Sequence, residues 1–323
     1  MRIRYISYGI SKTGGYRHEK FLFEQALNQY STSNPEIIGE QFRKQKLFTS
    51  LAGYIELVIW SFLKSNADIN IVPARMGVSA IWRNLFTKKQ VWIVIHNHDD
   101  SDGKSDLLRR YYNFLFKTLR KKKHNRFKVI VVAPFWKNYF ENTIQLPQVY
   151  LFPNFFNYSF YQTFQTNSKN AWVHLGQYSS KNDKKTVQLA SMLSKHGYYC
   201  FFSTLNPSEA KQGGGKFDIL YFMDFNDYLE HVSRSCCTLA LTQINEGWNR
   251  MAHESILVGT PVIGYKRGGL GDLLKESNSV VVESIDEAYT CIVNSLWVLP
   301  DISFNLKYDI HNAKNYLTPL CQN

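Results

Sequence analysis

Two glutamates eight residues apart, Glu246 and Glu254, stand in the stretch INEGWNRMAHESILVGTPVIG (244–264). The apolar run CTLALT (237–242) before them reads as a strand, and Glu246-Gly247-Trp248 reads as the turn at its end. Asn249 is a natural N-cap for a helix running through Glu254 to about Val258. Gly259 suits a left-handed C-cap, and Pro261 prevents continuation. One carboxylate thus belongs to a turn and the other to the helix that follows. Unpaired N–H groups at such a helix start suit a diphosphate. A carboxylate one or two turns on can accept hydrogen bonds from a ribose diol. The competing explanation is an ordinary βαβ turn with solvated acids. A core helix has no need of the glutamates, however, and a surface helix would not lead into PVIGY (261–265).

Other chemistry-bearing stretches are weaker. In HNHDDSD (96–102), His96 and His98 fall on one face of a strand end, but no further ligand set accompanies them. No metal site is expected there, nor at the bare Asp100-x-Asp102 pair. GISKTGGY (9–16) lacks the Gly-Lys-Ser/Thr ending of a phosphate loop. The five cysteines are odd in number and show no Cys-x-x-Cys spacing, which implies buried or incidental thiols. The triple glycine at 213–215 reads as a surface loop.

These residues need a scaffold. A chain of 323 residues, 44% hydrophobic, is long enough for two domains with real cores. Strand-like runs alternate with helical patterns throughout, the signature of α/β architecture with parallel sheets. The first-half strands are expected at 2–7, 69–74, 91–96 and 128–133, and the second-half strands at 171–176, 198–203, 237–242, 261–265 and 279–283. VYLFPNFFNYSFYQTFQTNSKN (149–170) is the joint, its strand ending at Pro153-Asn154. The expectation is two Rossmann-like doubly wound domains, 1–155 and 156–305, facing across a cleft. A C-terminal helix, 306–323, is expected to pack back toward the first. No apolar run reaches the roughly 18 residues of a membrane span, and the start is unlike a signal peptide. A cytosolic location is expected.

The formal charge is +12, which calls for an anionic partner. RRYYNFLFKTLRKKKHNRFK (109–128) holds nine Lys and Arg residues and no acid. Leu108, Tyr111, Tyr112, Leu115 and Leu119 follow helical spacing and are expected to face inward, with Arg110, Lys117 and Lys121 on another stripe. That pattern fits either a solvated charged face or peripheral attachment to an anionic inner membrane surface, worth about 1 kcal/mol per cation. RNA would require exposed stacking aromatics among the bases, so no nucleic-acid partner is expected.

The Glu-x7-Glu pair, Gly-Thr-Pro-Val-Ile and GGLGDLL (268–274) together resemble the donor site of retaining GT-B glycosyltransferases of family 4. Further along the chain YGISKTGGYRHEKFLFEQAL (8–27), VWIVIHNHD (91–99), VYLFPNFFN (149–157) and LGQYSSK (175–181) resemble other segments of that family. The resemblance implies that Glu246 sits beside the donor sugar and that Glu254 holds the ribose. Backbone N–H groups of Trp248, Asn249 and Arg250 would face the diphosphate or sugar. Gly14 and Gly15 would let the N-terminal loop approach the phosphate, His96 would lie near sugar or acceptor, and Lys181 would neutralise the leaving diphosphate. The pocket around Trp248 and Asn249 would select the sugar.

One position departs from the family. Gln177 stands where an arginine usually helps to grip the diphosphate. Arg250 is the first expected substitute and Arg267 the second, whereas Lys184 and Lys185 are expected on the following helix. The implied activity is transfer from a nucleoside diphosphate sugar, a UDP-sugar by family frequency, to a saccharide acceptor, polyprenyl-diphosphate-linked, in surface-polysaccharide synthesis. No cofactor or metal is implied. Two alternatives stay open: an inactive scaffold of a polysaccharide assembly complex, and a sugar-nucleotide epimerase of the same fold.

Overall fold

The computed structural model describes residues 2–6, 36–38, 66–96, 98, 106–122, 125–179, 182, 184–212, 215–299 and 302–321. The chain divides into two compact units, Met1–Asn154 with His311–Asn323, and Phe155–Ile310.

In the first unit six strands form one sheet: β1 Ile3–Ile6, β2 Glu36–Ile38, β3 Ile69–Pro73, β4 Gln90–Ile95, β5 Phe127–Val131 and β6 Val149–Leu151. Their order is β2-β1-β3-β4-β5-β6, with every pairing parallel. Strands β3, β4 and β5 are almost wholly buried, as expected where helices cover both faces of a parallel sheet. Among the described residues the helices of this unit are α1 Gly77–Asn84, α2 Asp106–Lys121, the short α3 Pro134–Asn138 and the C-terminal helix Ala313–Cys321. On α2 the inward residues are Tyr112, Leu115, Phe116 and Leu119, close to the expected stripe.

Two cations of the basic segment serve the fold, not its surface. Lys128 is fully buried in β5. Its Nζ donates to the Leu320 carbonyl of the C-terminal helix, Ala313–Cys321, at 2.5 Å. The Arg126 guanidinium donates to the Leu85 carbonyl at 2.6 Å and to the Thr87 carbonyl. The segment is therefore less uniformly a surface patch than its composition implies.

The second unit contains β7 Asn170–Gln177, β8 Tyr199–Thr204, β9 Lys211–Gln212, β10 Asp218–Tyr221, β11 Ser235–Ala240, β12 Val262–Gly264 and β13 Val280–Val281. The order is β13-β12-β11-β7-β8-β10-β9, and only edge strand β9 runs antiparallel. Its helices are α4 Tyr158–Gln162, α5 Thr186–Lys195, α6 Phe225–Arg234, α7 Arg250–Leu257, α8 Gly269–Glu276, α9 Ile285–Val293 and α10 Ile302–Lys307. Leu189 and Leu193 of α5 share one core with Ala288 and Ile292 of α9. Tyr161, Leu229 and Leu257, from α4, α6 and α7, form another.

The expected strands are all present, with ends shifted by at most two residues. β11 stops at Ala240, so Thr242 belongs to the loop, and β6 stops at Leu151, short of Pro153. Strands β2, β9 and β10 are not among those expected; runs of two to four residues are too short to show a period of two.

Lys169, just before β7, fixes the lower ends of two helices. Its Nζ donates to the carbonyls of Ser233 (2.5 Å) and Gly259 (3.0 Å) at the C-termini of α6 and α7. A cation is favoured against such unpaired carbonyls, and anchoring α7 there aims its N-terminus at the opposite end of the sheet. Burial lowers the Lys169 pKa from 10.5 to about 8. Between those values the unfolded chain carries a proton that the fold has released, so the contribution to stability rises with pH. Thermal melts of wild type and Lys169→Met should show the wild type gaining on the variant from about pH 8 to 10.5.

Candidate active site

The strand order of the second unit reverses between β7 and β11. From β7 the chain builds outward through β8 to β10, then returns to β11 on the other side and continues to β12 and β13. Loops leaving β7 and β11 diverge to opposite faces of the sheet and open a crevice at their C-terminal ends, where ligands of doubly wound sheets bind. His174 joins the three central strands beneath it. Its Nε2 meets Ser203 Oγ of β8 at 3.1 Å and its Nδ1 meets Thr238 Oγ1 of β11 at 3.4 Å. Complete burial depresses its pKa to about 3, so it stays neutral.

Three loops meet at the crevice. In the β7 loop Gly176 has φ +90°, and a Cβ there would lie 2.9 Å from the Leu239 carbonyl oxygen. Asn182 Nδ2 donates to the Gln177 carbonyl at 2.6 Å, and Asn182 bridges the backbone of Thr242 in the β11 loop. The β11 loop pairs in turn with the β12 loop, where Glu246 bridges Gly268 and its carbonyl accepts from Gly269 N at 2.9 Å. A Cβ on Gly268 would lie 2.6 Å from that carbonyl oxygen, so only glycine admits this approach. The Glu246 side chain is half-buried and its Oε1 accepts from Thr242 Oγ1 at 3.3 Å. Nothing in the sequence marks the parts played by Asn182 and Thr242, because both act across loops.

Asn249 caps α7 as expected: its Oδ1 accepts from Ala252 N at 2.9 Å. Gly259, at φ +77°, ends the helix. Glu254 lies within the helix and is buried, with Oε1 3.2 Å from Arg250 Nη2. Burial raises its pKa, while the Arg250 charge and hydrogen bond oppose the rise. Tyr161 and Tyr228 complete its surroundings. Burial first, and the Glu254 charge second, push both phenols well above their ordinary range.

Several sequence expectations need correction. The Trp248 side chain, expected to help shape the sugar pocket, is buried, donates from Nε1 to His253 Nδ1 at 2.9 Å, and packs 5.1 Å from Tyr308. His253 is neutral, its pKa held far below 6.5 by burial. Arg250, the first expected substitute, is engaged with Glu254 and lies 5.4 Å from the Phe156 ring centroid. Arg267, ranked second, is exposed in the turn before Gly268 and makes no ion pair with any described residue. Lys184 and Lys185 precede α5, which begins at Thr186. Gln177 is exposed at the end of β7.

In the first unit His96 is half-buried just beyond β4. His98 does not share its setting. It is buried, with ring centroids of Tyr112 and Phe116 at 5.0 and 5.1 Å. Among the described residues no cluster of three or more His, Cys, Asp or Glu side chains could hold a metal. Gly14, Gly15 and Lys181 lie outside the described residues.

No family model matches the sequence, and neither does any curated protein. Solved structures do match. Anabaena HepE in complex with UDP and glucose is 13% identical, with a TM-score of 0.69 over 99% of both chains. Sucrose-phosphate synthase from Thermosynechococcus elongatus is 15% identical, with a TM-score of 0.64 over 99% of this chain and 94% of that one. AviGT4, a glycosyltransferase involved in avilamycin A biosynthesis, is 11% identical, with a TM-score of 0.62 over 98% and 96%. The expected α/β fold of GT-B type, built from two Rossmann-like doubly wound units, is borne out.

The glycine at the loop junction gives a direct test. Gly268→Ala meets backbone atoms, whereas Gly215, also at positive φ, has open space around it. Urea unfolding should show Gly268→Ala losing about 1–3 kcal/mol and Gly215→Ala at most about 1 kcal/mol.

Proposed function

We propose that this protein transfers a sugar from a nucleoside diphosphate sugar, with UDP as the nucleotide, to a saccharide acceptor. The observation that supports the reading is the reversal of strand order at β7 and β11, with Glu246 in the loop after β11 and Glu254 on α7, the helix that follows that loop. The structural likeness to UDP-bound HepE supports it.

In this reading the diphosphate lies against the N-terminus of α7, whose first N–H groups lack helical partners. Glu254 receives the ribose hydroxyls, releasing Arg250 as they compete for its carboxylate. Arg267, exposed and beside Glu246, supplies the cation that Gln177 does not, together with Lys181. Glu246 stands beside the donor sugar. As the C1–O bond to the diphosphate breaks, negative charge grows on the β-phosphate, and these cations and dipoles stabilise it. The acceptor hydroxyl attacks C1 from the same face and passes its proton to the departing phosphate. Configuration is retained, and neither a metal nor a cofactor takes part. The acceptor belongs to the first unit, near His96, and is a lipid-linked saccharide of surface-polysaccharide synthesis.

An inactive scaffold is the second reading, favoured by Gln177 and by the engagement of Arg250 with Glu254. Calorimetry with UDP and with uridine separates the two. The wild type should bind UDP, and Glu254→Ala should weaken both ligands. Arg267→Gln should weaken UDP by about tenfold and leave uridine unchanged, a loss typical of one charge-assisted hydrogen bond. A folded wild type that binds no nucleoside diphosphate would leave the scaffold reading standing. If binding is seen, Glu246→Gln should preserve it while slowing turnover by about 10²–10³-fold.

A further inference from the structure

The first unit displays three large aromatic side chains to solvent where α1 and α2 lie side by side. Trp82 on α1 is 52% exposed, Phe86 in the following turn 97%, and Phe114 on α2 50%. The two helices are in close contact. Tyr111 Oη donates to the Ala74 carbonyl at 3.0 Å and accepts from Val78 N at 3.4 Å. Gly77 leaves room for Leu115, whose Cδ1 would be 2.8 Å from a Cβ at that position. Trp82 lies one turn beyond Val78 on α1. Phe86 is not loose: Arg126 binds the carbonyls of Leu85 and Thr87, the residues on either side of it. The fold thus fixes an aromatic ring in water.

Charge surrounds these rings. Arg110, Phe114, Lys117 and Lys121 are spaced as one helical stripe, and all four are exposed. Lys88 is exposed two residues after Phe86. No acid occurs between Asp68 and Asp99, or between Asp106 and Glu141. A face with aromatic rings and a basic stripe, where the one acid of α2 is Asp106 in its first turn beside Arg109, matches the chemistry of a bilayer interface. There the rings enter the headgroup level and the cations meet anionic lipid. Among the described residues no helix is long and apolar enough to cross a membrane, so the attachment would be peripheral.

We propose that the outer faces of α1 and α2 dock on an anionic lipid bilayer, with Trp82, Phe86 and Phe114 inserted and Arg110, Lys117 and Lys121 against the headgroups. The surface is independent of the donor site in the second unit.

The full chain should co-sediment with phosphatidylglycerol-containing vesicles and not with phosphatidylcholine alone. The triple variant Arg110→Gln/Lys117→Gln/Lys121→Gln should lower the partition coefficient on the order of a hundredfold. Trp82→Ala/Phe86→Ala/Phe114→Ala should lower it and abolish the part that survives high salt. All six side chains are exposed, and circular dichroism would verify folding of both variants. Absence of binding to anionic vesicles, or equal binding by wild type and both variants, would overturn the proposal. So would displacement from the vesicles by single-stranded RNA that the same variants fail to bind. UDP calorimetry on the same samples separates this surface from the donor site: a chain that binds UDP but no vesicle overturns only the docking surface.

Discussion

Everything at the candidate site depends on the reversal of strand order between β7 and β11. Two adjacent parallel strands whose connections leave to opposite faces cannot close the space above their ends. The crevice is therefore a consequence of connectivity, present before any side chain is chosen. What the side chains add is a precise floor. Asn182 meets Thr242, Glu246 meets Gly268, and His174 holds β8 and β11 to β7 from below. Lys169 secures the far end of α7 by its carbonyls, so the N–H groups at its other end have a fixed place.

The buried pair Arg250–Glu254 has a dual character. Removing a carboxylate from water disfavours its charge, and the neighbouring guanidinium returns only part of that cost. A pair of this kind specifies more than it stabilises. Arg250 also lies over the face of Phe156, 5.4 Å from its ring centroid, so the guanidinium is held from two sides.

The two units divide their chemistry by charge as well as by topology. The first unit carries its cations on a helix face among exposed rings, a broad surface with no single focus. The second unit holds Glu246 in the loop after β11 and Glu254 on α7, the helix that follows it.

The sequence by itself determined the alternation of strands and helices, the cap at Asn249, the stop at Gly259 and the placing of Glu246 in a turn and Glu254 in a helix. These are local properties: periodicity, capping and backbone freedom act over a few residues and leave their mark within them. Tertiary structure decided which polar groups stay at the loops and which turn to the core. Trp248 read as a pocket residue and turned inward to His253, Arg250 read as a phosphate ligand and found Glu254, and Lys128 read as surface charge and became a buried tie to the C-terminal helix. Conversely Phe86, apolar and unremarked in the sequence, is held in water by Arg126, forty residues away in the chain. The reason is the same throughout. A side chain's partner is set by the packing of elements distant in sequence, and no spacing within one segment records which of those elements will arrive.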